Sequence, residues 1–276
     1  MPNLLQTLAA WTALLCPIAA LLGLVQSRGW LTVVGALFIS VSTAAIVYAR
    51  SQRLRLEAAS LEIEGISIDS VNAANLRRRV NRSLTVQAAD HFASIDGADL
   101  DMVWRYAGYC RVAHETTMEF SIDCSNSLPF SQLDCYAYDL KRDPDKKHRI
   151  HPLLIGPDGI SKKIAVPFLE PLRAQDPFDL MLHCCLPATY NAAIGYYTST
   201  LSFDQDKVSR CTVHLTFLQP KPDWVRVYDS DSTGRPRLLK TLYPVRDDEE
   251  SSEYRDVAEN IKAQSSRIYL FRRAHS

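Results

Sequence analysis

The stretch SRCTVHLTF, residues 209–217, alternates apolar and polar side chains along its whole length. Its apolar members fall on one side of an extended chain: Cys211, Val213, Leu215 and Phe217. The polar members between them fall on the other side: Arg210, Thr212, His214 and Thr216. A two-residue period of this kind is typical of a strand that buries one face, so the stretch predicts a sheet with a packed side.

Segments on both sides of this stretch repeat the pattern. The clearest are TTMEFSI (116–122), DCYAYDL (134–140), PFDLMLHCCL (177–186), YYTSTLSF (196–203) and RIYLFRR (267–273). Turn signals such as Pro157-Asp158-Gly159 separate them. Short alternating strands with turn residues between them predict an antiparallel sandwich or barrel. Two segments are instead predicted as helices, 69–84 and the polar stretch EESSEYRDVAENIKAQSS (249–266).

The first fifty residues have a different character. Segments 4–25 and 30–49 are almost wholly apolar, and the five residues QSRGW (26–30) connect them. Each is close to the roughly 20 residues that a helix needs to cross a bilayer core. A signal peptide would require a positively charged start, and the residues before Leu4 carry no charge. The pattern therefore predicts an antiparallel transmembrane hairpin.

The arginine distribution predicts an orientation for this hairpin. The connection holds Arg28 alone, whereas Arg50, Arg53 and Arg55 follow the second apolar segment. The positive-inside bias then places both termini of this multi-pass protein in the cytoplasm. Six cysteines lie outside the hairpin, several of them within apolar strand patterns, and in this location we expect their thiols to be reduced.

These patterns together predict a membrane protein of the α+β class. The hairpin occupies 1–50, a stalk and helical linker 51–101, and a mainly antiparallel β-rich domain 102–276. The chain has 31 basic and 31 acidic residues. The first fifty residues contribute two arginines and no acidic residue, so the rest of the chain has 29 basic and 31 acidic residues. A near-neutral domain excludes a general surface for polyanions, so any nucleic acid or nucleotide would need a local basic site.

Sequence motifs give no support for catalysis. Gly-rich phosphate loops, Gly-x-Ser-x-Gly elbows and His-Glu-x-x-His pairs are all missing from the sequence. His183 and Cys185 share a strand face and have the side chains that zinc prefers, but no Cys-x-x-Cys or His-x-x-x-His spacing accompanies them. We therefore predict no catalytic residue, no metal site and no cofactor.

Two basic clusters are the candidate ligand-binding sequences, NLRRRVNR (75–82) and LKRDPDKKHRIH (140–151). Guanidinium groups match phosphate oxygens bidentately, and loops between strands often carry binding residues. The predicted ligand-binding residues are Arg77, Arg78, Arg79, Arg82, Lys146, Lys147 and Arg149. The alternative is a solvated surface on which neighbouring aspartates pair with these cations.

A short two-span hairpin followed by a β-rich domain resembles the two-transmembrane, β-strand-rich membrane effectors of bacterial anti-phage systems linked to nucleotidyltransferases. The resemblance is one of architecture over the whole chain. It implies that the β-rich domain senses a nucleotide or oligonucleotide, and that the spans form a homo-oligomeric channel through the lipid bilayer of the bacterial inner membrane. The polar span residues are then the predicted pore lining: Thr7, Thr12, Thr32, Ser40, Ser42 and Thr43. The alternative is a membrane-tethered scaffold or interaction protein with neither pore nor small ligand.

Overall fold

A computed structural model describes residues 41–43, 45, 46, 48, 81–123, 128–190, 194–230 and 236–273 of the chain. The chain divides into two compact units, Met1–Ile66 and Ser67–Ser276. In the first unit the six described residues are helical. In the second unit the described regular structure is strand, apart from one turn of 3-10 helix at Phe130–Gln132. The predicted α+β class is therefore wrong, and the described fold is a β fold.

The predicted membrane hairpin is also corrected. In the part of the chain that the structure describes, no helix has the length and apolarity needed to cross a bilayer. This finding is against a two-helix transmembrane fold class and a multi-pass inner-membrane location, and it leaves the channel assignment without support. The bilayer partner and the anti-phage effector function stay predictions. Most of segments 4–25 and 30–49 lies outside the described residues, as do Thr7, Thr12, Thr32 and Ser40; Ser42 and Thr43 lie in the helical part.

Twelve strands make up the described fold of the second unit. In chain order they are β1 (Leu84–Asp96), β2 (Asp99–Cys110), β3 (Glu115–Asp123), β4 (Asp134–Asp139), β5 (Leu153–Leu154), β6 (Ser161–Leu172), β7 (Pro177–Leu186), β8 (Ile194–Phe217), β9 (Pro222–Ser230), β10 (Pro236–Leu242), β11 (Arg246–Asp247) and β12 (Ser252–Arg273). The strands thus begin at Leu84, within the segment expected to be a linker.

The strands form two sheets. Nine belong to a large sheet with the order β10-β9-β12-β8-β1-β2-β7-β4, in which β11 pairs with β12, and β3, β6 and β5 form a small sheet. Strands β1 and β8 run parallel, and the other described strand pairs are antiparallel. Strand β4 is thus the edge of the large sheet beside β7, and this edge carries the candidate site.

The strand predicted from SRCTVHLTF is confirmed as the second half of β8. The apolar side chains predicted to face inward are buried, with Phe217 at 0% and Val213 at 1% exposure. Thr212 is buried as well, because β8 lies between β1 and β12 in the interior of the sheet. Alternation therefore predicted the strand and its packed face, but could not show that it lies in the middle of the sheet.

The polar helix predicted over 249–266 is wrong, since most of this stretch belongs to β12. Glu, Ala, Lys and Gln favour helices, but this preference amounts to only tenths of a kcal/mol per residue. Pairing with β8 from Ser252 to Arg272 outweighs it. Every second side chain at the start of β12 is buried, namely Ser252, Tyr254 and Asp256. The burial therefore has the two-residue period of a strand, although two of these three side chains are polar.

Candidate ligand-binding face at the β4 edge

Strand β4 presents two tyrosines on the outer surface of the sheet. Cys135, Ala137 and Asp139 are buried, whereas Tyr136 and Tyr138 between them are half-buried. The DCYAYDL alternation therefore predicted a strand correctly, but the apolar tyrosines lie on its outer face. Across the sheet Tyr136 pairs with His183 of β7, and Tyr138 pairs with Met181. The outer faces of β4, β7 and β2 thus form one continuous surface at the sheet edge.

Two basic side chains cover these tyrosines. The guanidinium carbon of Arg149 lies 3.8 Å from the centre of the Tyr136 ring. The ammonium of Lys146 lies 5.9 Å from the centre of the Tyr138 ring. Both distances are within the roughly 6 Å range in which a cation is attracted to a ring face. We call these four residues, Tyr136, Tyr138, Lys146 and Arg149, the aromatic–basic patch.

The loop that carries these cations is held by two aspartates. The backbone N–H of Asp143 donates to the carbonyl of Asp139 at 2.8 Å, and the N–H of Lys146 donates to the carbonyl of Asp143 at 3.1 Å. The N–H of His148 donates to the Asp143 carboxylate at 2.6 Å. This hydrogen bond lowers the pKa of Asp143 below its ordinary value. Because these hydrogen bonds hold the loop in one conformation, Lys146 and Arg149 have defined positions.

Part of the positive charge of this loop is neutralised. Residues 141–151 hold five Lys or Arg and two Asp. Lys147 pairs with Asp145 at 3.0 Å, and Arg149 pairs with Asp134 of β4 at 2.6 Å. Among the described residues, Lys141 and Lys146 lie in no ion pair. The solvated-surface alternative therefore accounts for Lys147 and Arg149, but not for Lys146 beside Tyr138.

The structure brings together three of the seven predicted ligand-binding residues. Lys146, Lys147 and Arg149 share the loop over β4. Arg82 lies in the turn before β1, where its backbone carbonyl accepts a hydrogen bond from Arg111. In the described part of the chain, Arg82 has neither a hydrogen bond nor an ion pair to the basic loop. The other three, residues 77–79, lie outside the described residues.

A second group of polar side chains lies next to the patch. His183 Nε2 is 2.7 Å from Oδ1 of Asp101 and 4.0 Å from Sγ of Cys185. Strand pairing explains the cluster, because Asp101 of β2 is directly opposite Cys185 of β7. We call these three residues the Asp101 cluster. The His183 and Tyr136 rings are 4.5 Å apart, so the cluster and the aromatic–basic patch are in contact.

The Cys185 thiol is kept protonated at neutral pH. Burial and, after it, the negative charges of Asp101 and Asp134 together raise its pKa to about 11. A thiol of this kind is a poor nucleophile, because the thiolate is the reactive form. Cys184 is bonded to Cys135 in a disulfide between β7 and β4. The expectation of reduced thiols is wrong for this pair, whereas Cys110, Cys185 and Cys211 are free.

Sequence reasoning missed three residues of this surface. Tyr136 and Tyr138 lie in a segment whose alternation predicted a strand. The sequence signal for their exposure is Asp134, a charged residue on the same face of that strand. Asp101 belongs to the acidic stretch DGADLD (96–101), which matches no metal-binding motif. Its contact with His183 depends on the pairing of β2 with β7, which are distant in sequence, so no local pattern could have indicated it.

Comparison with known proteins gives only distant similarities. The sequence matches no protein-family model and no curated protein. An M1 zinc metallopeptidase from Deinococcus radiodurans is 13% identical with a TM-score of 0.44, over 69% of this chain and 43% of that one. A putative nutrient binding protein from Legionella pneumophila is 12% identical with a TM-score of 0.44, over 70% and 68%. The chain thus spans less than half the length of the metallopeptidase, and neither likeness carries a functional argument.

Proposed function

We propose that the β domain is a non-catalytic binding domain that recognises a nucleotide or oligonucleotide at the aromatic–basic patch. The observation that carries this proposal is the stack of Arg149 on Tyr136 at 3.8 Å, beside Tyr138 and Lys146. Aromatic faces and cations side by side match the two chemical features of a nucleotide, a flat base and a charged phosphate. The anti-phage setting, the nucleotidyltransferase partner system and the homo-oligomer stay predictions.

The cations of the patch can exchange their present partners at low cost. The Arg149 and Asp134 side chains are 46% and 61% exposed, so their ion pair is a surface pair. Such pairs contribute about 0–1 kcal/mol, and hydrogen bonds from a guanidinium to a phosphate are charge-assisted and stronger than neutral ones. Lys146 has no carboxylate partner to give up among the described residues. A phosphate therefore has two cations available above the tyrosine rings.

The tyrosines supply the apolar half of the site. Tyr136 and Tyr138 meet edge to face, with ring centres 5.7 Å apart. Arg149 covers the Tyr136 ring, whereas the Lys146 ammonium is farther from the Tyr138 ring, so Tyr138 has more room for a base to stack. Stacking of one base on an aromatic ring contributes about 1–3 kcal/mol. The site therefore favours a short ligand with one stacked base and one or two bound phosphates.

The test is fluorescence anisotropy of a fluorescein-labelled pentanucleotide with the full chain, with unlabelled ATP as competitor. We expect Arg149→Ala and Tyr138→Ala each to weaken binding by about tenfold, or ~1.4 kcal/mol. The matched control is Arg226→Ala, because Arg226 lies 4.5 Å over Trp224 on β9, a cation–aromatic pair outside this site. Binding should also weaken as salt rises, because phosphate contacts release counterions.

Two outcomes would contradict the proposal. One is the lack of saturable binding of the pentanucleotide and of ATP by the unmodified chain. The other is an equal loss of binding in Arg149→Ala and Arg226→Ala, which would indicate non-specific attraction. Either result would leave an interaction protein without a small ligand as the better account.

A further inference from the structure

We propose that Asp101, His183 and Cys185 form a binding site for one zinc-type transition-metal ion, with one coordination position left open. The site is distinct from the aromatic–basic patch, and it does not depend on the function proposed for that patch. Each residue contributes one donor atom, a carboxylate oxygen, an imidazole nitrogen and a thiolate sulfur. These are the three donor types that bind zinc in proteins.

The positions of the donor atoms suit a metal ion. The three atoms lie within 4.8 Å of one another. Zinc bonds of about 2.0–2.3 Å in tetrahedral geometry place donor atoms about 3.3–3.8 Å apart. The present separations of 2.7 Å and 4.0 Å from His183 Nε2 bracket this range. We expect side-chain rotations to bring the three donor atoms to the spacing that zinc requires.

The sheet holds the three residues in register. His183 and Cys185 are two apart on β7 and therefore point to the same side of the sheet. Asp101 is the direct cross-strand partner of Cys185 on β2. The His183 ring lies against the Tyr136 ring at a tilt of 38°, with ring centres 4.5 Å apart, and this contact limits the orientation of the imidazole ring. Donors on paired strands are better positioned than donors on loops.

The charge around the cluster favours a cation. Asp99 and Asp134 add their negative fields to that of Asp101 at the Cys185 thiol. A bound metal ion would displace the proton of the thiol, because the thiolate is the form that ligates metals. The mixture of sulfur, nitrogen and oxygen donors favours zinc-type ions over magnesium or calcium, which prefer oxygen donors alone.

The cluster is an open site of moderate affinity. Three protein donors leave a fourth tetrahedral position for water or another ligand. Asp101 is exposed, so solvent reaches the site. Metal-binding imidazoles usually donate their second N–H to a carboxylate or carbonyl, and loss of that partner weakens binding by about 10–100-fold. In the described structure the Nδ1 atom of His183 is buried without a hydrogen-bond partner, so we expect weaker binding than at a closed structural site.

The test is titration of the full chain, without added reductant, with Co²⁺ as a spectroscopic probe and Zn²⁺ as competitor. We expect one equivalent of Co²⁺ to produce a sulfur-to-cobalt charge-transfer band that Zn²⁺ removes. Cys185→Ser should abolish this band, and His183→Asn should weaken binding at least tenfold. Asp179→Asn is the matched control, because Asp179 lies on the same face of β7 but pairs with Arg105 outside the cluster.

The proposal is overturned if the unmodified chain shows no saturable cobalt band, or if the band persists in Cys185→Ser. Urea unfolding of each variant shows whether it is folded. If Cys185→Ser does not fold, the His183→Asn variant decides. Loss of cobalt binding in His183→Asn, with normal binding in Asp179→Asn, supports the site. Normal binding in both variants refutes it.

Discussion

The His91 imidazole of β1 and the Ser199 hydroxyl of β8 meet inside the core, with Nδ1 and Oγ 2.8 Å apart. The opposite ring nitrogen, Nε2, lies 2.9 Å from the hydroxyl of Tyr106 on β2. His91, Ser199 and Tyr106 are each at most 5% exposed. Burial lowers the pKa of His91 to about 3, so the ring is neutral at physiological pH. Its position excludes it from contact with a ligand in the folded state.

The first prediction is that the fold loses stability as the pH falls. The unfolded chain binds a proton at His91 below pH 6.5, its ordinary pKa, whereas the folded chain does not until about pH 3. Between these values the unfolded state binds more protons than the folded state. Lowering the pH therefore reduces the free energy of unfolding, and His91 contributes up to ~1.4 kcal/mol per pH unit to this loss. Urea unfolding from pH 7 to pH 4 measures the slope.

His91→Gln removes this titration and should give a shallower slope than the unmodified chain over the same range. His151→Gln is the matched control, because His151 is exposed, and its slope should equal that of the unmodified chain. Identical slopes for all three proteins would show that His91 is protonated equally in the folded and unfolded states.

The second prediction concerns the buried carboxylate of Asp256 on β12. It accepts hydrogen bonds from Arg267 at 2.8 Å and from the Tyr269 hydroxyl at 2.9 Å, and Lys240 lies 2.6 Å away. Burial alone would raise the pKa of Asp256, but the Lys240 hydrogen bond and the Arg267 charge lower it below its ordinary value. Asp256→Asn should reduce the free energy of unfolding by about 3–5 kcal/mol, because the Arg267 side chain, only 18% exposed, loses its counter-charge.

The matched control for Asp256 is Asp223→Asn. Asp223 pairs with Arg272 at 3.1 Å, but the two side chains are 43% and 50% exposed. A surface pair contributes about 0–1 kcal/mol, so this variant should differ little from the unmodified chain in urea. Equal losses in both variants would mean that the Asp256 carboxylate is hydrated rather than buried.

The third prediction uses two glycines. A Cβ atom added to Gly108 of β2 would lie 1.9 Å from the backbone oxygen of Thr85, whereas one added to Gly159 would meet nothing within 4 Å. Because backbone atoms would have to move, Gly108→Ala should cost about 3 kcal/mol or more. Gly159→Ala should stay within about 0.5 kcal/mol. Thermal unfolding of both variants tests the pair, and a similar melting temperature would contradict the close approach of β1 and β2.

The fourth prediction concerns the disulfide between Cys135 and Cys184, whose sequence separation is 49. Closing a loop of this length restricts the unfolded chain and contributes about 4 kcal/mol at most. Reduction should therefore lower the midpoint of urea unfolding. The double variant Cys135→Ser/Cys184→Ser should show the lower midpoint without reductant and no further change with it. Peptide mapping after alkylation checks the bond, and labelling of both cysteines in the unreduced chain would refute it.

The sequence allowed strands to be predicted where burial and polarity coincide. In SRCTVHLTF the buried side chains are apolar except for Thr212, so alternation identified β8 and its inner face. In β12 the buried positions include Ser252 and Asp256, and the helix-forming residues between them gave the wrong prediction. In β4 the usual relation between polarity and burial is partly reversed, because the two tyrosines face outward and Asp139 is buried.

The candidate site was predictable only in part. The basic loop stands out in the sequence as a charge cluster, and its Pro144-Asp145 turn indicated a loop between strands. The contact of His183 with Asp101 arises from strand pairing, and the stack of Arg149 on Tyr136 arises from the fold of the loop over β4. Neither contact leaves a periodic trace in the sequence, because each joins segments whose alignment is fixed by the tertiary fold.

The position of β12 also bears on how the protein is made. This strand comes last in the chain among the described strands, yet it lies between β9 and β8 in the interior of the large sheet. During synthesis the N-terminal strands leave the ribosome first, but β8 and β9 cannot acquire their shared neighbour until translation has passed Arg273. Until then each exposes an unpaired edge, and such edges favour aggregation. The nascent chain should therefore depend on chaperone protection until its final strand is inserted.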